Sequence, residues 1–237
     1  MSASATAPRP ASVGRWGGRS ADTSSRQSCS RHTPQWRAEF VPCSPSGLAV
    51  SADGRGVHLM ELRLIDCVSL IPLRESDSHI ITNLMQLYKY DFSVFAEVGS
   101  QYGEVGRDGR FTYEGLESYW REEGRLALRV EADERLAGFV LVDRWSALNR
   151  LLDHAVAEFF VLRKYRRIGV GSRAARVLFE RWPGRWEVAV ARYNKPALSF
   201  WRKAIPAAVD GPIEEYSGDF ERHIGTVLCF DSCPRKS

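Results

Sequence analysis

Apolar positions follow two periods along this chain, and they lay out its elements. Val68-Ser-Leu-Ile-Pro-Leu73 alternates as a strand, and Pro72 assigns it to a sheet edge. Ile80, Ile81, Leu84, Leu87 and Tyr88 recur at helical spacing behind the capping residues Ser76 and Asp77. Residues 98–111 hold four glycines, Gly99, Gly103, Gly106 and Gly109, and read as a mobile loop. A short helix over Tyr113–Arg121 follows, with Leu116 and Trp120 inward. Arg125–Val130 and Leu136–Val142 are strands, and Glu131-Ala-Asp-Glu134 turns them into an antiparallel hairpin. His154–Leu162 is apolar at almost every position, the pattern of a strand covered on both faces. Ala174, Ala175, Leu178 and Trp182 mark the next helix, which Trp182-Pro-Gly184 stops. Trp186–Ala191, Tyr216–Phe220 and Ile224–Phe230 complete the strands.

Between the central strand and its helix the chain turns cationic, through Arg163, Lys164, Arg166 and Arg167, and then meets Gly169 and Gly171. Glycines at a strand-to-helix junction let backbone N–H groups approach a ligand. A helix start adds unpaired donors and the positive dipole end. Such a junction suits a pyrophosphate. Gly169-Val-Gly171-Ser-Arg-Ala174 also fits the dinucleotide fingerprint, but charged residues separate the strand from Gly169 and no second βαβ unit is present. The Walker pattern is absent.

Arg166-x-x-Gly169-x-Gly171 fits better, because it resembles the coenzyme A pyrophosphate loop (Q/R-x-x-G-x-G/A) of the GNAT N-acetyltransferase superfamily. Asn194-Lys-Pro-Ala197-Leu-Ser-Phe200-Trp201 is similar to that family's N-x-x-A-x-x-F/L-Y segment, at the expected spacing. The resemblance extends over residues 68–231 and implies an α/β fold. This is a mixed, mostly antiparallel twisted sheet of about seven strands with helices on both faces. The fourth and fifth strands splay apart to admit coenzyme A. It also implies an enzyme that moves an acetyl group from acetyl-CoA to a primary amine of a small molecule or peptide, by direct attack in a ternary complex.

The residues implied to hold acetyl-CoA are Phe160, Val161, Leu162, Arg166, Arg167, Ile168, Gly169, Val170, Gly171, Ser172, Asn194, Phe200 and Trp201. The family places a bulge near Val161, leaving a backbone N–H there for the oxyanion. Tyr88, Asp91, Tyr102 and Trp120 stand on segments that cover the acceptor in relatives, and an acid beside aromatics suits a cationic amine. Glu158 is the candidate base, the single ionisable side chain between Ala155 and Leu162. An apolar setting should raise its pKa. A structural carboxylate, satisfied by its neighbours, is the competing reading. The chain departs from the pattern at Trp201, which replaces the Tyr that protonates the departing thiolate, and indole cannot serve as that acid. A non-catalytic acyl-CoA-binding module is therefore the alternative. Arg167 stands where glycine is common, which is tolerable if its backbone is helical or extended.

Charge narrows the partners. The net charge is +4, and residues 1–59, with seven arginines against three acids, carry that whole excess. The rest is formally neutral, which argues against a domain that coats nucleic acid. Residues 1–59 show no sustained period and form an expected disordered Arg/Ser-rich extension, ahead of an acetyltransferase domain at 60–237. Transit-peptide character and a true start at Met60 are the other readings of that extension. No apolar run has membrane-spanning length. The five cysteines (Cys29, Cys43, Cys67, Cys229 and Cys233) form no C-x-x-C pair, so no metal is expected. Free thiols in a reducing cytoplasm are the expectation. A homodimer is left open.

Overall fold

A computed structural model describes residues 2–3, 65–97 and 103–232. Eight strands form one sheet: β1 (Ser2–Ala3), β2 (Val68–Pro72), β3 (Leu126–Ala132), β4 (Arg135–Asp143), β5 (His154–Val161), β6 (Gly184–Ala191), β7 (Ile213–Phe220) and β8 (His223–Ser232). Seven of them follow the order β2-β3-β4-β5-β6-β8-β7, and β1 pairs with β5 off that path. Every pairing is antiparallel except β5 with β6. The β3–β4 hairpin closes on Asp133 and Glu134, both at positive φ (47° and 62°), as a two-residue turn matched to strand twist requires. Pro72 lies on β2, an edge strand, where its missing N–H costs no ladder bond.

The helices are α1 (Ser78–Ser93), α2 (Ser118–Arg121), α3 (Val170–Arg181) and α4 (Lys195–Ala204). They cover both faces. Leu128, Val140, Phe159 and Val188 pack with Ala174, Leu178 and Trp201 of α3 and α4. On the opposite face Phe139, Leu141, Ala157 and Phe160 pack with Ile81, Met85 and Tyr88 of α1. Both faces of β5 are therefore buried, which is why its sequence reads as an unbroken apolar run.

Two elements differ from their sequence patterns. The helix expected over Tyr113–Arg121 condenses to one turn, Ser118–Arg121, after a series of turns from Glu114. The glycine-rich loop is held by bonds from residue 103 onward: Gly106 N–H donates to the Arg110 carbonyl (2.8 Å) and Gly109 N–H to the Gly106 carbonyl (2.9 Å). The expected extension at 1–59, apart from Ser2–Ala3, lies outside the described residues, as do Met60, Tyr102, Cys29, Cys43 and Cys233. Cys229 is a free thiol, and burial pushes it up to about 11.

Candidate active site

β5 and β6 are paired at His154–Trp186 and Ala155–Glu187, and beyond those pairs the two strands part. The split opens towards the C-terminal end of β5. Leu162 N–H donates to the Ala137 carbonyl (2.8 Å), which sets the alternation along β5. With Phe160 opposite Phe139, the amides of Phe160 and Leu162 turn to β4, and those of Phe159 and Val161 turn into the split. Ser2–Ala3 runs antiparallel along this open edge, opposite Phe160 and Phe159.

The turn that follows is built on two left-handed residues. Arg167 has φ +65° and Gly169, the N-cap of α3, has φ +89°. Arg167 is thus not in the helical or extended backbone that would have made it an easy substitute for glycine, and a side chain there costs about 1 kcal/mol. Gly171 faces the floor of the split. A Cβ there would lie 3.3 Å from the Phe200 ring and 3.8 Å from Val161 Cγ2. The first-turn N–H groups of α3 open at the mouth of the split, beside exposed Ile168 and Ser172. Val170 is fully buried and can offer its backbone alone.

The bulge on β5 lies four residues before its expected place near Val161. Leu141 pairs with Glu158 and Val142 with Val156, which leaves Ala157 as the extra residue. That irregularity has a packing reason. Val156 joins the α3 face while Ala157 and Glu158 both face α1, an arrangement that strict alternation forbids.

Glu158 is 7% exposed and is held by two phenols. Tyr88 donates its hydroxyl to Oε2, and Tyr113 donates to Oε1 at 3.2 Å. Burial first, and the Glu158 charge second, push the Tyr88 phenol well above its usual pKa. Tyr88, buried at 2% exposure, thus stays a donor. Tyr113 was missed from sequence, since an aromatic in a short amphipathic stretch carries no sign of a partner on a distant strand.

The remaining expected site residues have the following neighbours. Asp91 is occupied: Arg163 donates to Oδ1 at 2.9 and 2.7 Å, and Arg166 donates to Oδ2. Burial alone would raise the Asp91 carboxyl, but Arg166 and Arg163 together hold it below its ordinary value. Arg166 also donates from Nε to the Val161 carbonyl (2.6 Å) and lies over the Phe160 ring, so its guanidinium braces β5. Trp120 is tied by its indole N–H to the Leu73 carbonyl (2.8 Å). Asn194 is buried as the N-cap of α4, its Oδ1 accepting from Ala197 N–H (3.2 Å). Phe160 points into the α1 core, and Leu162 packs against both cores. Trp201 is fully buried against Phe159 and Phe179, and its indole N–H has no partner among the described residues. Phe200, half-buried beside Gly171, is the aromatic of α4 that reaches the split.

In this mixed α/β sheet a split parallel strand pair opens on a glycine-bounded helix start, a geometry able to receive an anion. Residues 92–205, a little under half of the chain, match the model of the acetyltransferase (GNAT) family, which supports an N-acetyltransferase. Similar solved structures include the GNAT domain of S. lividans PAT (17% identity, 68% of this chain and 89% of that chain, TM-score 0.46). An acetyltransferase from Thermus thermophilus is also similar (14% identity, 71% and 99%, TM-score 0.47). So is RimL, a ribosomal L7/L12 alpha-N-protein acetyltransferase in complex with coenzyme A (12% identity, 72% and 96%, TM-score 0.44). Comparison with curated proteins found no match. Among the described residues no cluster of three or more His, Cys, Asp or Glu could hold a metal ion, and no helix is long and apolar enough to cross a membrane.

Proposed function

We propose that residues 60–237 form a domain that transfers the acetyl group of acetyl-CoA to a primary amine of a small molecule or peptide, by direct attack in a ternary complex. The observation that carries this reading is the split beside β5, which runs from the Gly169–Gly171 helix start to the neighbourhood of Glu158. The pyrophosphate would lie on the N–H groups of residues 168–172, and the pantetheine arm would pair with the free edge of Phe159 and Val161 as an added strand. Ser2–Ala3 must leave that edge first. The amine nitrogen attacks the thioester carbonyl, and the Val161 N–H holds the oxyanion. The proton goes to Glu158, and the sulfur leaves as a thiolate protonated by water.

The test is calorimetry with acetyl-CoA followed by thiol release over a panel of amines. Gly171→Asp should abolish acetyl-CoA binding, because its side chain meets Phe200 and its charge opposes the pyrophosphate. Unchanged affinity would mean that the phosphates bind elsewhere. A second reading, a non-catalytic acyl-CoA-binding module, is favoured by the sealed position of Trp201, which leaves no acid on α4 for the thiolate. Tight acetyl-CoA binding with no thiol release from any amine would decide for it.

A further inference from the structure

A 440 Å³ cavity opens between α1 and the segment running through residues 108–116. Met85 and Leu116 give it an apolar floor, Thr82 and Gln86 line it from α1, and Arg110 and Tyr113 line it from the facing segment. That segment is fixed. Asp108 turns back on its own loop, its Oδ1 accepting from Arg110 N–H (3.1 Å). Gln86 then clamps the segment to the helix with both ends of its amide: Nε2 donates to the Phe111 carbonyl (3.0 Å), and Phe111 N–H donates to Oε1 (2.8 Å). The walls are therefore set before any ligand arrives.

Two side chains give the cavity a direction. Half-buried Tyr113 joins it to the buried carboxylate, its hydroxyl 3.2 Å from Glu158 Oε1. Arg110 is exposed on the wall, and its guanidinium makes no ion pair or hydrogen bond among the described residues. Asp108 also lines the cavity and spends one carboxylate oxygen on the Arg110 N–H. A planar cation left open on a preformed wall suits a carboxylate, which it can hold through two parallel hydrogen bonds. The volume lies in the range of roughly 300–1,000 Å³ that holds small molecules.

We infer that this cavity is the acceptor pocket and that it takes a primary amine bearing a carboxylate, with the amine at Tyr113 and the carboxylate at Arg110. This rests on the acetyl-transfer reading above. The nitrogen lone pair forms the new C–N bond and the C–S bond breaks with its electron pair on sulfur. The proton lost by nitrogen passes to the Tyr113 oxygen as Tyr113 hands its own proton to Glu158. Tyr88, sealed on the other carboxylate oxygen, keeps Glu158 aimed at Tyr113.

The experiment uses the full chain. Acetyl-CoA is first titrated by calorimetry; no binding there would overturn the acetyl-transfer reading and this inference with it. Thiol release is then measured with amino acids from glycine to 6-aminohexanoate, each beside the alkylamine of equal carbon count. At least one amino acid should exceed its alkylamine in kcat/KM by about tenfold or more, the scale of one charge-assisted contact. Arg110→Gln should lower kcat/KM for the amino acid by about that factor and for its alkylamine by less, erasing the preference, and Arg110→Lys should keep part of it. Bound acetyl-CoA with equal or greater use of alkylamines would overturn the pocket assignment alone. An Arg110→Gln variant that lowers both amine classes alike would do the same.

Discussion

Glu158 has two tyrosine donors, and their difference sets what it can do. Tyr88 is sealed, and its raised pKa keeps it protonated across any usable pH, so it orients the carboxylate without exchanging a proton. Tyr113 is half-buried. Glu158→Gln keeps a carbonyl for one phenol and removes the base. It should lower kcat by ~10²–10⁴-fold, leave acetyl-CoA affinity near its original value and remove the low-pH limb of kcat/KM. Near-normal turnover with the same profile would make Glu158 structural. The lone carboxylate was legible in the sequence. Its partners were not, because they stand 70 and 45 residues away and a phenol carries no local mark of what it will touch. The partners of Asp91 are hidden for a related reason: an acid beside aromatics looks unpaired until the fold brings Arg163 and Arg166 onto it. Asp91→Asn should leave Arg166 half-buried and without its carboxylate, costing roughly 1–3 kcal/mol. It should also weaken acetyl-CoA binding, since Arg166 braces the Val161 carbonyl beside the split. Tighter binding in calorimetry would instead mean that Asp91 competes with the pyrophosphate for Arg166.

At the scale of elements, periodicity placed the strands of the main sheet path and α3, while α4 was marked by the Asn194-headed segment that resembles the family's. What it could not supply was register. The apolar run of β5 contains no sign that Ala157 is an extra residue, because a bulge shows itself only against a partner strand. The same limit hid Gly138, which reads as an ordinary glycine in a strand. It lies opposite Val161 on β4, and a Cβ there would come 2.0 Å from the Phe160 carbonyl oxygen. The close approach of β4 to β5 at this point holds the strand edge that carries Phe159 and Val161. Gly138→Ala must push the two backbones apart. It should destabilise the protein by roughly 1–3 kcal/mol or more, as overpacking does. Acetyl-CoA affinity should fall as well, because the displaced strand borders the split. Chemical denaturation and calorimetry on the same sample read both effects, and an unchanged midpoint would show that β4 tolerates the shift.

Over the whole molecule, one sheet separates two cores, and the ionisable groups caught at its margins tie stability to pH. His154 begins β5 at the closed end of the split, stacked on Trp186 with ring centroids 4.7 Å apart, and His223 begins β8. Burial lowers both imidazoles from the ordinary 6.5; Asp153 offsets part of this for His154, and Arg144 adds to it. A base with a depressed folded pKa is charged first in the unfolded chain, so the unfolded state binds more protons below pH 6.5. Their stabilising effect is therefore complete above that pH and declines as the pH falls through it. Glu187 works in the opposite sense, because burial raises its carboxyl above 4.5 and the folded state takes that proton first. Asp91 and Asp153, both lowered from 3.8, begin to act only in stronger acid. On lowering the pH from 7, the histidines are the first of these groups to respond, and the melting temperature should fall between pH 7 and 5.5. His154→Phe keeps an aromatic ring on Trp186 and removes the titration. Its melting temperature at pH 7 should be close to that of the original chain or somewhat lower, and its decline towards pH 5.5 should be visibly shallower. An identical slope in the variant would assign the acid sensitivity to other groups and remove His154 from the account.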